Sequence, residues 1–184
     1  LGLFSPFGPP NQHYYGVGPM ADRKSALPLL QQREIEARIV GPLVRAFAAA
    51  FGREETLEVL RGVIVDLAHQ GGADLARSLG ESSLEAFATT LGRWSENDAL
   101  EIEILERSDE RLSFNVVRCR YAEMYRRLGL EDLGASLSCV RDFALTEGFS
   151  SDIELNRTQT IMQGAEFCDF RFRRVEAKPE PEAE

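Results

Sequence analysis

The chain has 184 residues, 43% of them hydrophobic and 28% charged, enough apolar material and enough solvated surface for one core-forming domain. A net charge of -9 repels phosphate backbones and anionic lipid, so neither nucleic acid nor a membrane surface is expected as a partner. No apolar run reaches the roughly 20 residues that span a bilayer, and the three cysteines do not resemble a secreted disulfide framework, which suits a reducing cytoplasm.

Residues 1–20 differ in character from the rest of the chain. Pro6, Pro9, Pro10 and Pro19 are mixed with glycines and with Phe4, Phe7, Tyr14 and Tyr15, without helical or strand period. Met20-Ala21-Asp22 reads as a natural start, so 1–20 is taken as an N-terminal extension, either natural or added. Residues 21–174 are expected to form a single α+β domain, and the charged, proline-bearing tail 175–184 to be disordered.

From Leu27 to Phe51 the spacing predicts a long helix whose apolar face is Ile35, Ile39, Leu43, Phe47 and Phe51. Gly41-Pro42 should kink it, and Gly41 with Ala48, Ala49 and Ala50 would let another helix come close, in the same chain or in a homo-oligomer. A second helix runs from Arg53 with Leu57, Leu60, Ile64 and Leu67 inward, weakened at Gly71-Gly72 and closed at Gly80. Ser82-x-x-Glu85 reads as a capping box for a third helix buried through Leu84, Phe87, Ala88 and Leu91.

The period then changes from helical to alternating. Leu100, Ile102 and Ile104, then Leu112, Phe114 and Val116 after the turn at 108–111, predict an antiparallel hairpin. Helices over Tyr121–Leu128 and Glu131–Glu147 come next, with Gly129 and Gly148 as stops. Ile153–Ile161 and Phe167–Arg173 are read as a second strand pair around Gly164. The fold class is therefore α+β: N-terminal helices packed with a small antiparallel sheet in strand-strand-helix-helix-strand-strand order.

Each cysteine has an acid close behind it: Cys119 with Glu123, Cys139 with Asp142, Cys168 with Asp169. Helical phase puts Cys119 and Glu123 on one stripe, and Ala135, Cys139, Asp142 and Thr146 on another, each away from the main apolar face. Acids there are ordinarily just solvated. Free cysteine, however, is among the most buried residue types, which points to a second, partly enclosed surface. Arg157 is in phase with Ile153 and Leu155, so its guanidinium needs a partner: a substrate carboxylate, a protein acid, or water reached from a strand end. Cys168 shares the face of Phe170 and Phe172, and Asp169 points the other way. Clustered thiols and carboxylates serve covalent catalysis or metal binding. The absence of Cys-x-x-Cys and of a nearby histidine argues against metal.

The stretch Phe114-Asn-Val-Val-Arg-Cys-Arg-Tyr-Ala-Glu-Met-Tyr125 resembles the L-2-amino-thiazoline-4-carboxylic acid hydrolase family. So do Cys139-x-x-Asp142-Phe-Ala, Glu147-Gly-Phe, and Arg157-Thr-Gln-Thr-Ile-Met-Gln-Gly164-Ala-Glu-Phe-Cys168-Asp-Phe-Arg-Phe. Gln32-Arg-Glu-Ile-Glu-Ala-Arg-Ile-Val-Gly-Pro42 is similar to that family's first helix, and the resemblance runs from about residue 27 to 174. It implies a hydrolase acting on carbon-nitrogen bonds of a small cyclic amidine or isothiourea such as 2-amino-thiazoline-4-carboxylate, opened to an N-carbamoyl amino acid. No cofactor is implied, and the partner is a small carboxylate-bearing substrate.

On that reading Cys119 attacks the amidine carbon, its thiolate favoured by the helix N-terminus, and the ring nitrogen or sulfur leaves after protonation. Glu123 or Asp142 shuttles protons, Arg157 holds the substrate carboxylate, and Cys139, Thr158 and Cys168 complete the binding wall, with Thr160 beside Thr158. A carboxylate-activated water could equally be the nucleophile, the cysteines only lining the pocket. The alternative class is a non-catalytic module that binds a small ligand or a metal.

Overall fold

The computed structural model describes residues 27–175. The N-terminal extension 1–20 and all but the first residue of the tail 175–184 lie outside them. Helices α1 (Leu29–Phe51) and α2 (Arg53–Leu79) form a hairpin, followed by the short α3 (Leu84–Thr89) and α4 (Leu91–Trp94). Strands β1 (Leu100–Arg107) and β2 (Arg111–Cys119) lead into α5 (Arg120–Arg127). One helical rod then comprises α6 (Glu131–Gly134), a π segment (Ala135–Cys139) and α7 (Val140–Phe149), before β3 (Ile153–Asn156) and β4 (Cys168–Arg174). The sheet is antiparallel in the order β1-β2-β4-β3. This is the expected α+β class and element order.

The alternation on β2 builds the core as predicted. Leu112, Phe114 and Val116 are buried and sit opposite Phe172, Phe170 and Cys168 of β4. Phe114 and Phe170 stack with ring centroids 4.9 Å apart, and Phe87 packs on Phe149 and Phe172. Each buried phenylalanine contributes roughly 1.5–3 kcal/mol. A second cluster, built from Ala37, Val44, Ile64, Tyr125, Leu130, Leu133 and Leu137, joins α1, α2, α5 and the α6–α7 rod. Leu100, Cys119 and Ile161 touch both clusters and mark the seam between them.

The structure reverses the expected face of α1. Ile35, Ile39, Leu43, Phe47 and Phe51 are all half-exposed or more, and Ala37, Gly41 and Val44 point inward. Leu130 packs so close to Gly41 that a Cβ there would overlap its side chain, so the small residues set the approach. Ala49 and Ala50 are exposed. Pro42 is absorbed inside one continuous helix. On α2 the inward residues are Ile64 and Ala68, with Leu67 turned toward solvent.

Glycines read as breaks turn out to be contacts. A Cβ on Gly72 would collide with the Leu145 carbonyl oxygen, and one on Gly148 with the His69 carbonyl oxygen. These two positions bring α2 and α7 together backbone to backbone, the most extensive helix packing among the described residues. Gly148 thus lies inside α7 instead of ending it, while Gly80 does cap α2 at φ 74°. The cap of α3 is Ser83, whose Oγ accepts from Ala86 N, one residue later than the predicted capping box.

Candidate functional site

A cavity of about 100 Å³ opens at the seam between the two clusters, where the ends of β2, β3 and β4 face the π segment and the start of α7. Its wall is mainly apolar, with Leu29, Trp94, Val116, Leu145, Met162 and Phe170. Set into it are all three cysteines, together with Asp142, Arg157, Arg33, Arg141, Tyr121 and Ser138. Sulfur and acid from three separated segments therefore meet at one sheltered place.

Helical phase does not govern Cys119. It is the last residue of β2 and the N-cap of α5, so strand alternation turns it inward, and its Sγ accepts from Ala122 N at 3.4 Å. Glu123, one turn along α5, faces outward and accepts from Arg118 Nε at 2.8 Å, which holds its carboxyl below the usual range. Glu123 does not line the thiol cavity; it borders a separate cavity of about 340 Å³ beside Arg120 and Arg127. The expected Cys119–Glu123 pairing is corrected on this point.

The second stripe does face the cavity. Ser138, Cys139, Asp142 and Leu145 all line it, whereas Thr146 is buried and its hydroxyl donates to the Asp142 carbonyl oxygen. The π turn ends at Cys139, adding a residue to the helix just where the wall begins, a distortion recurrent at functional positions.

Arg157, one residue beyond β3, is buried, with only 6% of its side chain exposed. It donates through Nη1 to Asp142 Oδ2 and through Nη2 to the Cys139 carbonyl oxygen at 3.0 Å. Its guanidinium also lies 5.0 Å from the ring centres of Phe143 and Phe170. Its partner is thus a protein acid. Asp142 lines the cavity, and its Oδ1 has no protein donor among the described residues. Burial pushes the Asp142 carboxyl above its ordinary value, with Arg157 pulling the other way.

Cys168, at the start of β4, is buried, and its Sγ accepts from Ile161 N at 3.2 Å. Burial raises all three thiols; Cys119 is pushed up to about 11, partly offset by the Ala122 N–H, and the Asp142 charge adds to the effect at Cys139. Such thiols stay protonated near neutrality. Thr158 lies outside the cavity, exposed, with its hydroxyl donating to Asp169 Oδ2 at 2.7 Å. Asp169 also accepts from the Thr158 and Gln159 amides, which ties down the loop after β3. Thr160 is buried and bonded to Gln163. No cluster of three or more metal-ligating side chains occurs among the described residues, and no helix there is long and apolar enough to cross a membrane. Sequence reasoning missed Arg33 and Arg141; the only local signal was Arg33 with Glu36 one turn later.

Residues 32–172 match the family model described as L-2-amino-thiazoline-4-carboxylic acid hydrolase. Comparison with curated proteins gives no match. Among solved structures, the chain is similar to a trafficking protein particle complex subunit 3 from Naegleria fowleri, crystallised covalently bound to palmitic acid. Identity is 11% and the TM-score 0.49, over 82% of this chain and 99% of that one. At that score the likeness carries no functional weight.

Proposed function

Because the chain belongs to the L-2-amino-thiazoline-4-carboxylic acid hydrolase family, we propose that it hydrolyses a small cyclic isothiourea in the thiol-lined cavity. The observation that carries this reading is the Asp142 carboxylate on the cavity wall, held through Oδ2 by Arg157 and with Oδ1 free of any protein donor among the described residues. A raised carboxyl at such a position is suited to taking and returning a proton. The cavity volume of about 100 Å³ favours one small ring over a larger cofactor or polymer.

In the proposed reaction Asp142 accepts a proton from water as the water oxygen bonds to the amidine carbon. The bond from that carbon to ring sulfur then breaks, Asp142 returns its proton to the departing sulfur, and the second water proton ends on the former ring nitrogen as the hydroxyl becomes a carbonyl. The ring nitrogen keeps its bond and becomes part of the N-carbamoyl group, so it is the carbon–sulfur bond that opens for this substrate. One water is consumed and one free thiol appears. Arg157 orients Asp142, and Cys119, Cys139 and Cys168 line the cavity in protonated form without attacking.

The test is incubation of the purified protein with 2-amino-thiazoline-4-carboxylate, following free thiol and the mass of N-carbamoyl-cysteine. Turnover by wild type that is lost in Asp142→Asn supports the proposal. Binding without turnover supports the second reading, a small-ligand module, which the protonated thiols also favour.

A further inference from the structure

One wall of the cavity carries more positive than negative charge. Arg33 of α1 donates through Nη1 to both Glu36 carboxylate oxygens at 2.7 Å. Arg141 of α7 reaches the same Glu36 Oε2 through Nη2 at 3.1 Å, while its Nε donates to the Leu137 carbonyl oxygen at 2.8 Å. Two guanidiniums therefore share one carboxylate. Both side chains line the cavity and are largely enclosed, at 18% and 15% exposure. Burial and the neighbouring Arg33 charge both lower the Arg141 pKa, as expected where cations outnumber anions. Arg157, by contrast, already has Asp142.

We propose that Arg33 and Arg141 form the anion subsite of this cavity and bind the carboxylate of a small substrate, the role first expected of Arg157. The inference rests on the hydrolase reading for the substrate's identity, although the subsite itself requires only a carboxylate-bearing ring. A ligand carboxylate here supplies the second negative charge that two enclosed guanidiniums lack, and planar guanidinium groups match its two oxygens. It also sets the direction of binding. With the carboxylate at the α1 side, the ring extends toward Asp142, which lies one residue after Arg141 on the same wall.

The experiment is calorimetric titration with 2-amino-thiazoline-4-carboxylate and with its uncharged 4-carboxamide. Wild type is expected to bind the acid at least about tenfold more tightly than the amide, the scale of a charge-assisted pair. Arg33→Gln and Arg141→Gln should bring the ratio toward one by weakening the acid more than the amide. Glu36→Gln, which removes the competing carboxylate, should tighten acid binding, a gain that misfolding cannot produce. Equal binding of acid and amide by wild type, no binding of either, an unchanged ratio in both arginine variants, or no gain in Glu36→Gln would each overturn the subsite. Discrimination without turnover would overturn the hydrolase reading and leave the subsite standing. Turnover with an unchanged ratio in the arginine variants would do the reverse.

Discussion

Asp142 and Arg157 form an ion pair at the cavity wall, the aspartate on α7 and the arginine just past β3, so that helix and sheet are joined across the seam by charge. The arginine is far more enclosed than the aspartate, at 6% against 26% side-chain exposure. Breaking the pair from either side leaves a charge poorly solvated. Arg157→Ala is expected to lower stability by about 2–3 kcal/mol, measured by urea unfolding. Asp142→Asn combined with Arg157→Ala should cost less than the two single changes added together.

The pH dependence of this carboxyl has a defined sign. Burial raises the folded Asp142 pKa above its ordinary value of 3.8, so folding favours the protonated form. Its stabilising contribution is therefore full below that ordinary value and is lost as pH rises through the folded one. Unfolding measured across that window should show less loss in Asp142→Asn than in wild type. Turnover should run oppositely, rising with pH as the carboxylate forms, with an inflection above 3.8.

The thiols give an independent check. With Cys119 at about 11, its thiolate amounts to about one molecule in three thousand at pH 7.5. Iodoacetamide labelling of Cys119, followed by mass spectrometry, should be slow at that pH and climb steadily toward pH 11. Rapid labelling near neutrality would contradict the protonated reading. Cys119→Ala should keep most of the turnover, because its Sγ serves the Ala122 amide and the cavity wall.

Packing of α2 on α7 predicts a sharp contrast among glycines. Gly72→Ala and Gly148→Ala each force a methyl into backbone of the facing helix and should cost about 1–3 kcal/mol or more. Gly62→Ala and Gly71→Ala, with open space around them on the same helix, should be neutral or stabilising by up to about 1 kcal/mol. Thermal unfolding of the four variants separates the two classes.

The outward stripe of α1 makes a similar contrast. Ile39→Glu and Phe47→Glu should change monomer stability by no more than about 0.5 kcal/mol, since both side chains already face solvent. Val44→Glu should unfold the helix hairpin, because Val44 is buried against the second cluster.

What could be read from the chain followed its periodicities. Leu112, Phe114 and Val116 alternate because one face of β2 is buried; the phase of Arg157 with Ile153 and Leu155 left protein acid, substrate and water open as partners, and the structure supplies Asp142. Cys119 escaped the helical template because it sits at the junction where strand becomes helix, and there the strand decides direction. Apolar size points to the wrong face of α1, because contact with Leu130 demands the small Gly41, and Ala37 turns inward with it. Gly72 and Gly148 carry no periodic signal, since their use is visible only when two distant helices are laid together. Arg33 and Glu36 are one turn apart and legible as a pair, but Arg141 joins them from 105 residues away.

In the proposed reaction Asp142, and not a cysteine thiolate, carries proton transfer in the cavity. Release of free thiol from 2-amino-thiazoline-4-carboxylate, compared for wild type, Asp142→Asn and Cys119→Ala under identical conditions, separates the two roles. Turnover that survives in Cys119→Ala and falls at least about a hundredfold in Asp142→Asn is the predicted result. Loss of turnover in Cys119→Ala with Asp142→Asn still active would contradict it.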